Sequence, residues 1–109
     1  MDDSALQAQR SAITAALKRG LATDWRHRAY SDEEIRRVVA ALRDLAPDDL
    51  RGRLRIGGFS LGPFVGALNP EIEQSCRTCI YYEIHRRYCN LPELKLGVEA
   101  NWSCILWRI

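Results

Sequence analysis

Apolar residues recur at helical spacing twice in the first half of the chain. Over residues 4–19 (SALQAQRSAITAALKR), Leu6, Ile13 and Leu17 form one stripe, reinforced by alanines, and Gly20 follows as a stop signal. A stronger stripe runs over residues 31–46 through Ile35, Val38, Val39, Leu42, Leu45 and Ala46, and Pro47 ends it. Ser31 and Glu34 have the spacing of a capping box, and Asp32 and Glu33 suit the positive end of the helix dipole. Two helices are therefore expected, joined by LATDWRHRAY with Trp25 and Tyr30 as aromatic anchors.

The pattern then changes. Residues 47–70 hold five of the seven glycines and three of the four prolines. Pro47 to Leu50 reads as a short helical turn, and Arg53-Leu54-Arg55-Ile56 alternates like a brief strand. GGFSLGPFVGALNP reads as a compact loop packed by Phe59, Leu61, Phe64, Val65 and Leu68. After Cys79, Ile80, Ile84 and Tyr88 fall on one helical face, which Asn90-Leu91-Pro92 interrupts. Leu94, Leu96 and Val98 alternate beyond it, with Gly97 as a bend, and Ile105, Trp107 and Ile109 alternate at the end. The expected fold is a small α+β single domain. Residues 1–70 supply N-terminal helices and a glycine-rich linker, and residues 71–109 a four-cysteine metal module with little regular structure. The join falls near Asn69-Pro70.

Composition narrows the function classes. At 109 residues and 47% hydrophobic, the chain supports one small core, in a size range where a metal often supplements burial. No apolar run reaches membrane-spanning length, and Met1-Asp2-Asp3 opens no signal-peptide pattern, so a reducing cytoplasm is the expected compartment. The net charge of +2 is not that of a dedicated nucleic-acid binder.

All four cysteines lie in the last third, at Cys76, Cys79, Cys89 and Cys104. Cys76 and Cys79 form a C-x2-C pair, whose one tight turn presents two sulfurs to the same point. Four convergent thiolates hold a tetrahedral zinc or an iron–sulfur cluster. Four core cysteines, or disulfides in any of three pairings, are the alternatives; the close clustering and the reducing compartment weigh toward metal. Zinc ribbons use two close pairs, whereas here one pair is followed by gaps of 9 and 14 residues. Tyr81, Tyr82, Tyr88, Trp102 and Trp107 crowd the same stretch, and apolar cover suits a cluster.

The run C-x2-C followed by Tyr-Tyr, a later Cys, and then L-x-x-G-V-E-A-N-W-S-C-x-x-W resembles the high-potential iron–sulfur protein family. The shared features fall on Cys76, Cys79, Tyr81, Tyr82, Cys89, Val98, Trp102, Cys104 and Trp107. The resemblance implies one [4Fe-4S] cluster on four cysteine ligands and a one-electron carrier. The segment is also similar to small cluster-binding accessory subunits of glycyl-radical enzymes, which implies a larger enzyme as partner. It departs from the family in a shorter Cys79–Cys89 gap, in Asn101 where a glycine is usual, and in Ser103 between Trp102 and Cys104. The match covers about one third of the chain.

Other motifs have simpler readings. His85 lies between two cysteines and is a candidate fourth ligand, but four cysteines complete a site without it; His27, between two arginines, reads as solvated. Gly58-Phe59-Ser60-Leu61-Gly62 fits the G-x-S-x-G elbow, which needs a sheet larger than this chain supplies, so a packing turn is expected. Arg51, Arg53, Arg55, Arg86 and Arg87 read as solvated cations or a docking patch. No acid/base constellation marks an enzyme or a small-molecule site. The expected function is binding a [4Fe-4S] cluster for electron transfer or as an accessory subunit with a protein partner, with no membrane or nucleic acid. A zinc-stabilised module binding protein or nucleic acid is the alternative.

Overall fold

The computed structural model describes residues 3–23, 31–62, 64–65 and 73–108, with backbone alone for Phe64 and Val65. The expectations placed on Trp25, His27, Tyr30, Leu68, Ile109 and the join at Asn69-Pro70 lie outside these residues. The described residues form three helices: α1 Asp3–Lys18, α2 Asp32–Arg43 and α3 Leu50–Ile56. Strands β1 Phe64–Val65 and β2 Glu73–Gln74 pair antiparallel. Strands β3 Tyr82–Glu83, β4 Tyr88–Cys89 and β5 Leu96–Gly97 make an antiparallel sheet in that order. A 3-10 turn spans Cys76–Thr78. The fold is α+β, as expected.

Helix α2 starts where its capping signal lies: Ser31 Oγ accepts from the Glu34 N–H at 3.0 Å. The expected strand at 53–56 is instead part of α3. Asp49 caps that helix by accepting from the Gly52 N–H at 2.9 Å. Leu50 and Leu54 then stand four apart on one face, and Leu54 is fully buried. The alternation Arg-Leu-Arg-Ile is compatible with either structure; the cap decides for the helix.

The expected helix after Cys79 is a β-hairpin. Tyr82 pairs with Cys89 and Glu83 with Tyr88, and Arg87 turns the chain at φ 47°. Ile80 and Ile84 are exposed whereas Tyr88 is buried, so the three share no face. A second pairing, of β4 with β5, holds the hairpin, and cross-strand partners outweigh a single turn of local helical pattern. The alternation expected at the C-terminus also fails: Ile105, Leu106 and Trp107 are all buried. That segment is covered on both sides. Ser60 and Ser103 exchange backbone hydrogen bonds at 2.8 and 3.0 Å, the Ile105 N–H donates to Gly57 at 3.0 Å, and the Ile80 N–H donates to Arg108 at 2.7 Å.

One core joins both halves of the chain. Ile13 of α1, Val38 and Leu42 of α2 and Leu54 of α3 pack with Leu91, Leu94, Leu96, Val98, Trp102, Ile105 and Leu106. Helix α1 lies directly on β5. A Cβ on Gly97 would stand 2.9 Å from the Leu6 carbonyl oxygen, so only glycine permits the approach. The Gly97 N–H donates to Gln9 Oε1 at 2.6 Å. Arg10, only 4% exposed, donates to the Arg87 carbonyl at 3.0 Å and lies 3.4 Å from the Glu99 carboxylate. It ties α1 to the β3–β4 turn.

Candidate metal centre

The four cysteines arrive on three supports. Cys76 opens the 3-10 turn and Cys79 follows it, with the Cys79 N–H donating to the Cys76 carbonyl at 3.0 Å. Thr78 lies inside the C-x2-C loop and fastens it. Its hydroxyl caps the Ser75 N–H at 3.3 Å and accepts from the Trp107 indole N–H at 3.0 Å. The Cys76 and Arg77 N–H groups donate to Trp102 and Ala100 at 2.7 and 3.0 Å, so the loop is stitched to the chain just before Cys104. Cys89 sits on β4, paired on both sides. Cys104 sits between the backbone bonds of Ser103 and Ile105.

These supports bring all four sulfurs to one cavity. It is a small cavity of about 20 Å³, lined by Cys76, Cys79, Cys89 and Cys104 and walled by Phe59, Tyr82, Val98 and Trp107. Among the described residues no three Cys, His, Asp or Glu side chains stand close enough to hold one metal ion. A single tetrahedral ion draws its ligands in to about 2.3 Å. Four thiols lining one cavity are a donor set that a metal ion or an iron–sulfur cluster uses.

The electrostatics report the same convergence. Burial pushes the Cys76 and Cys104 thiols well above their ordinary value, and the charges that neighbouring cysteines would carry push in the same direction. Burial likewise pushes Cys89 up to about 11, with Cys79 adding to it and the Leu91 backbone amide opposing it. The Leu106 amide opposes the rise at Cys104. The Cys76, Cys89 and Cys104 thiols are held neutral, and a cation must displace their protons to bind.

A pH dependence follows for the metal-free protein. Below the ordinary thiol value of 9.0 both folded and unfolded chains keep the Cys89 proton. Above it the unfolded chain releases the proton first, so the unfolded state gains and stability falls as pH rises, with the loss complete beyond about 11. Denaturant midpoints between pH 8 and pH 11 should therefore decline under reducing conditions, and Cys89→Ser should decline less. A midpoint that rises across this window contradicts the burial of the thiols.

The remaining sequence candidates fall elsewhere. His85 lies with Arg86 and Arg87 in a polar groove against α1, not among the residues lining the cysteine cavity. Ser60 stands in a β-bridge with Ser103, not on a strand-to-helix elbow. Arg86 and Arg87 pair with Glu83 and Glu99 at 3.1 and 3.2 Å, and Arg53 donates to the Pro47 carbonyl. Of the aromatic residues expected around the site, Tyr82 and Trp107 line the cavity, whereas Trp102 is buried in the core and Tyr81 faces a groove beside α2. Phe59 gave no sequence signal as a wall of the site, because it lies 17 residues before Cys76 and is brought near by the Ser60–Ser103 bridge and the Ile105–Gly57 backbone bond. No family model, curated protein or solved structure matches this chain.

Proposed function

We propose that this chain binds one [4Fe-4S] cluster through Cys76, Cys79, Cys89 and Cys104. The observation that carries the reading is the convergence of all four thiols on a single cavity walled by Phe59, Tyr82, Val98 and Trp107. A bound cluster supplies reversible one-electron chemistry. The protein's part is to hold four thiolates, to keep water off the sulfurs with aromatic and aliphatic side chains, and to aim the Leu91 and Leu106 amides at Cys89 and Cys104. The role is electron transfer or service as an accessory subunit of a larger enzyme, with a protein as partner and the cytoplasm as compartment. No helix among the described residues is long and apolar enough to cross a membrane.

Anaerobic reconstitution with ferrous iron and sulfide tests this directly. The expected product is brown, with about four iron and four sulfide per chain. One tightly held zinc per chain, with no sulfide and no visible absorbance, would replace the cluster with a zinc-stabilised interaction module.

A further inference from the structure

The C-x2-C loop is pinned to residues 102–108 on either side of Thr78. The Cys76 N–H donates to the Trp102 carbonyl and the Ile80 N–H to the Arg108 carbonyl, each at 2.7 Å. Between these backbone bonds lies one between side chains: the Trp107 indole N–H donates to the Thr78 hydroxyl at 3.0 Å. It joins the middle of the loop that carries Cys76 and Cys79 to a ring that walls the cysteine cavity and is itself only 5% exposed.

The hydroxyl is fully engaged. A threonine hydroxyl gives one proton and receives on two lone pairs. The proton goes to the Glu73 carbonyl at 2.7 Å, with the Ser75 carbonyl next at 3.0 Å. One lone pair takes the Ser75 N–H at 3.3 Å and the other takes the indole N–H. With its proton and one lone pair committed to the loop, the oxygen presents a fixed acceptor to Trp107.

We infer that Thr78 is a positioning residue of the site: its hydroxyl holds the Trp107 ring against the cavity and so keeps water from the cysteine sulfurs. This rests on the cluster reading above, in which apolar cover protects the iron–thiolate bonds from solvent. Without the hydroxyl, conformers in which the indole N–H reaches water are favoured. Such conformers draw the ring off the cavity, and iron is then lost to solvent faster although all four cysteines remain.

Thr78→Val removes the hydroxyl and keeps the shape, whereas Thr78→Ser keeps the hydroxyl. Thr78 is exposed, so neither change displaces a core residue. The first readout uses the full chain under reducing conditions, before reconstitution: hydrogen exchange of the tryptophan indole N–H groups by NMR, with Trp107 assigned through Trp107→Phe. In Thr78→Val the Trp107 indole should exchange about fivefold faster, the factor to which one ordinary hydrogen bond corresponds. The buried Trp102 indole should not change, and Thr78→Ser should match the parent. The second readout is anaerobic release of iron from the reconstituted protein to excess chelator, which should quicken by a similar factor in Thr78→Val alone. Unchanged exchange or iron release in Thr78→Val, equal acceleration at Trp102 and Trp107, or a Thr78→Ser variant that behaves as Thr78→Val overturns the positioning role and leaves the cluster reading standing. Exchange of the Trp107 indole in the parent as fast as that of a solvated indole overturns it in the same way. A parent that takes up no iron or sulfide overturns both.

Discussion

If the chain binds the proposed cluster, replacing any one of Cys76, Cys79, Cys89 or Cys104 with Ser should strip most of the bound iron and lower stability in the same step, while His85→Ala changes neither. The four thiols line one cavity, and His85 lies in a different groove. Binding of a metal group in a small domain is coupled to folding, because the unfolded chain has no preformed site. A loss of about 3 kcal/mol would lower the melting temperature by about 12–24 °C in a domain of this size. The metal-free scaffold should suffer much less. Cys104 is flanked by backbone bonds from Ser103 to Ser60 and from Ile105 to Gly57, none of which uses its sulfur. Metal-free Cys104→Ser should thus melt close to the metal-free parent. Iron analysis and thermal unfolding, with and without reconstitution, separate these effects. Retention of full iron by Cys89→Ser or Cys104→Ser, with its loss in His85→Ala, would reassign the fourth ligand.

Gly97→Val should destabilise the protein by about 2–4 kcal/mol, combining overpacking with a strained backbone hydrogen bond. The new Cβ would meet the Leu6 carbonyl at 2.9 Å and Arg10 Nη1 at 3.3 Å, and a helix backbone yields less readily than a side-chain tip. To make room, α1 must lift from β5, which also pulls Gln9 from the Gly97 N–H and Arg10 from the β3–β4 turn. Leu96 on β5 is the direct partner of Cys89 on β4, so the disturbance reaches the cavity. Iron occupancy should therefore fall although no cysteine is altered. Gly97→Ala should show a smaller change of the same sign. Unfolding midpoints with iron analysis for the two variants check this; parental stability in Gly97→Val would mean that α1 does not seat on β5 in solution.

The sequence by itself determined the features whose energy is local. Ser31 and Glu34 mark the start of α2 because a cap is made within one turn, and the stripe through Val38 and Leu42 needs only the period of a helix. The C-x2-C pair is legible for the same reason: Cys76 and Cys79 share one short turn. Tertiary structure decided the rest. The segment from Ile80 to Tyr88 has the spacing of a helix and becomes a hairpin, because β4 finds β5 as a second neighbour. Arg53 to Ile56 has the spacing of a strand and becomes the end of α3, because Asp49 caps the helix ahead of it. Arg10 looks like any surface arginine of an amphipathic helix, yet it is buried against the Arg87 carbonyl and Glu99, and Gly97 looks like a bend, yet it admits α1. The meeting of Cys89 and Cys104 with the C-x2-C turn depends on the β3–β4–β5 ladder and on the Ser60–Ser103 bridge. These contacts join residues far apart in the chain, and their free energy comes from burial and pairing that no local window contains.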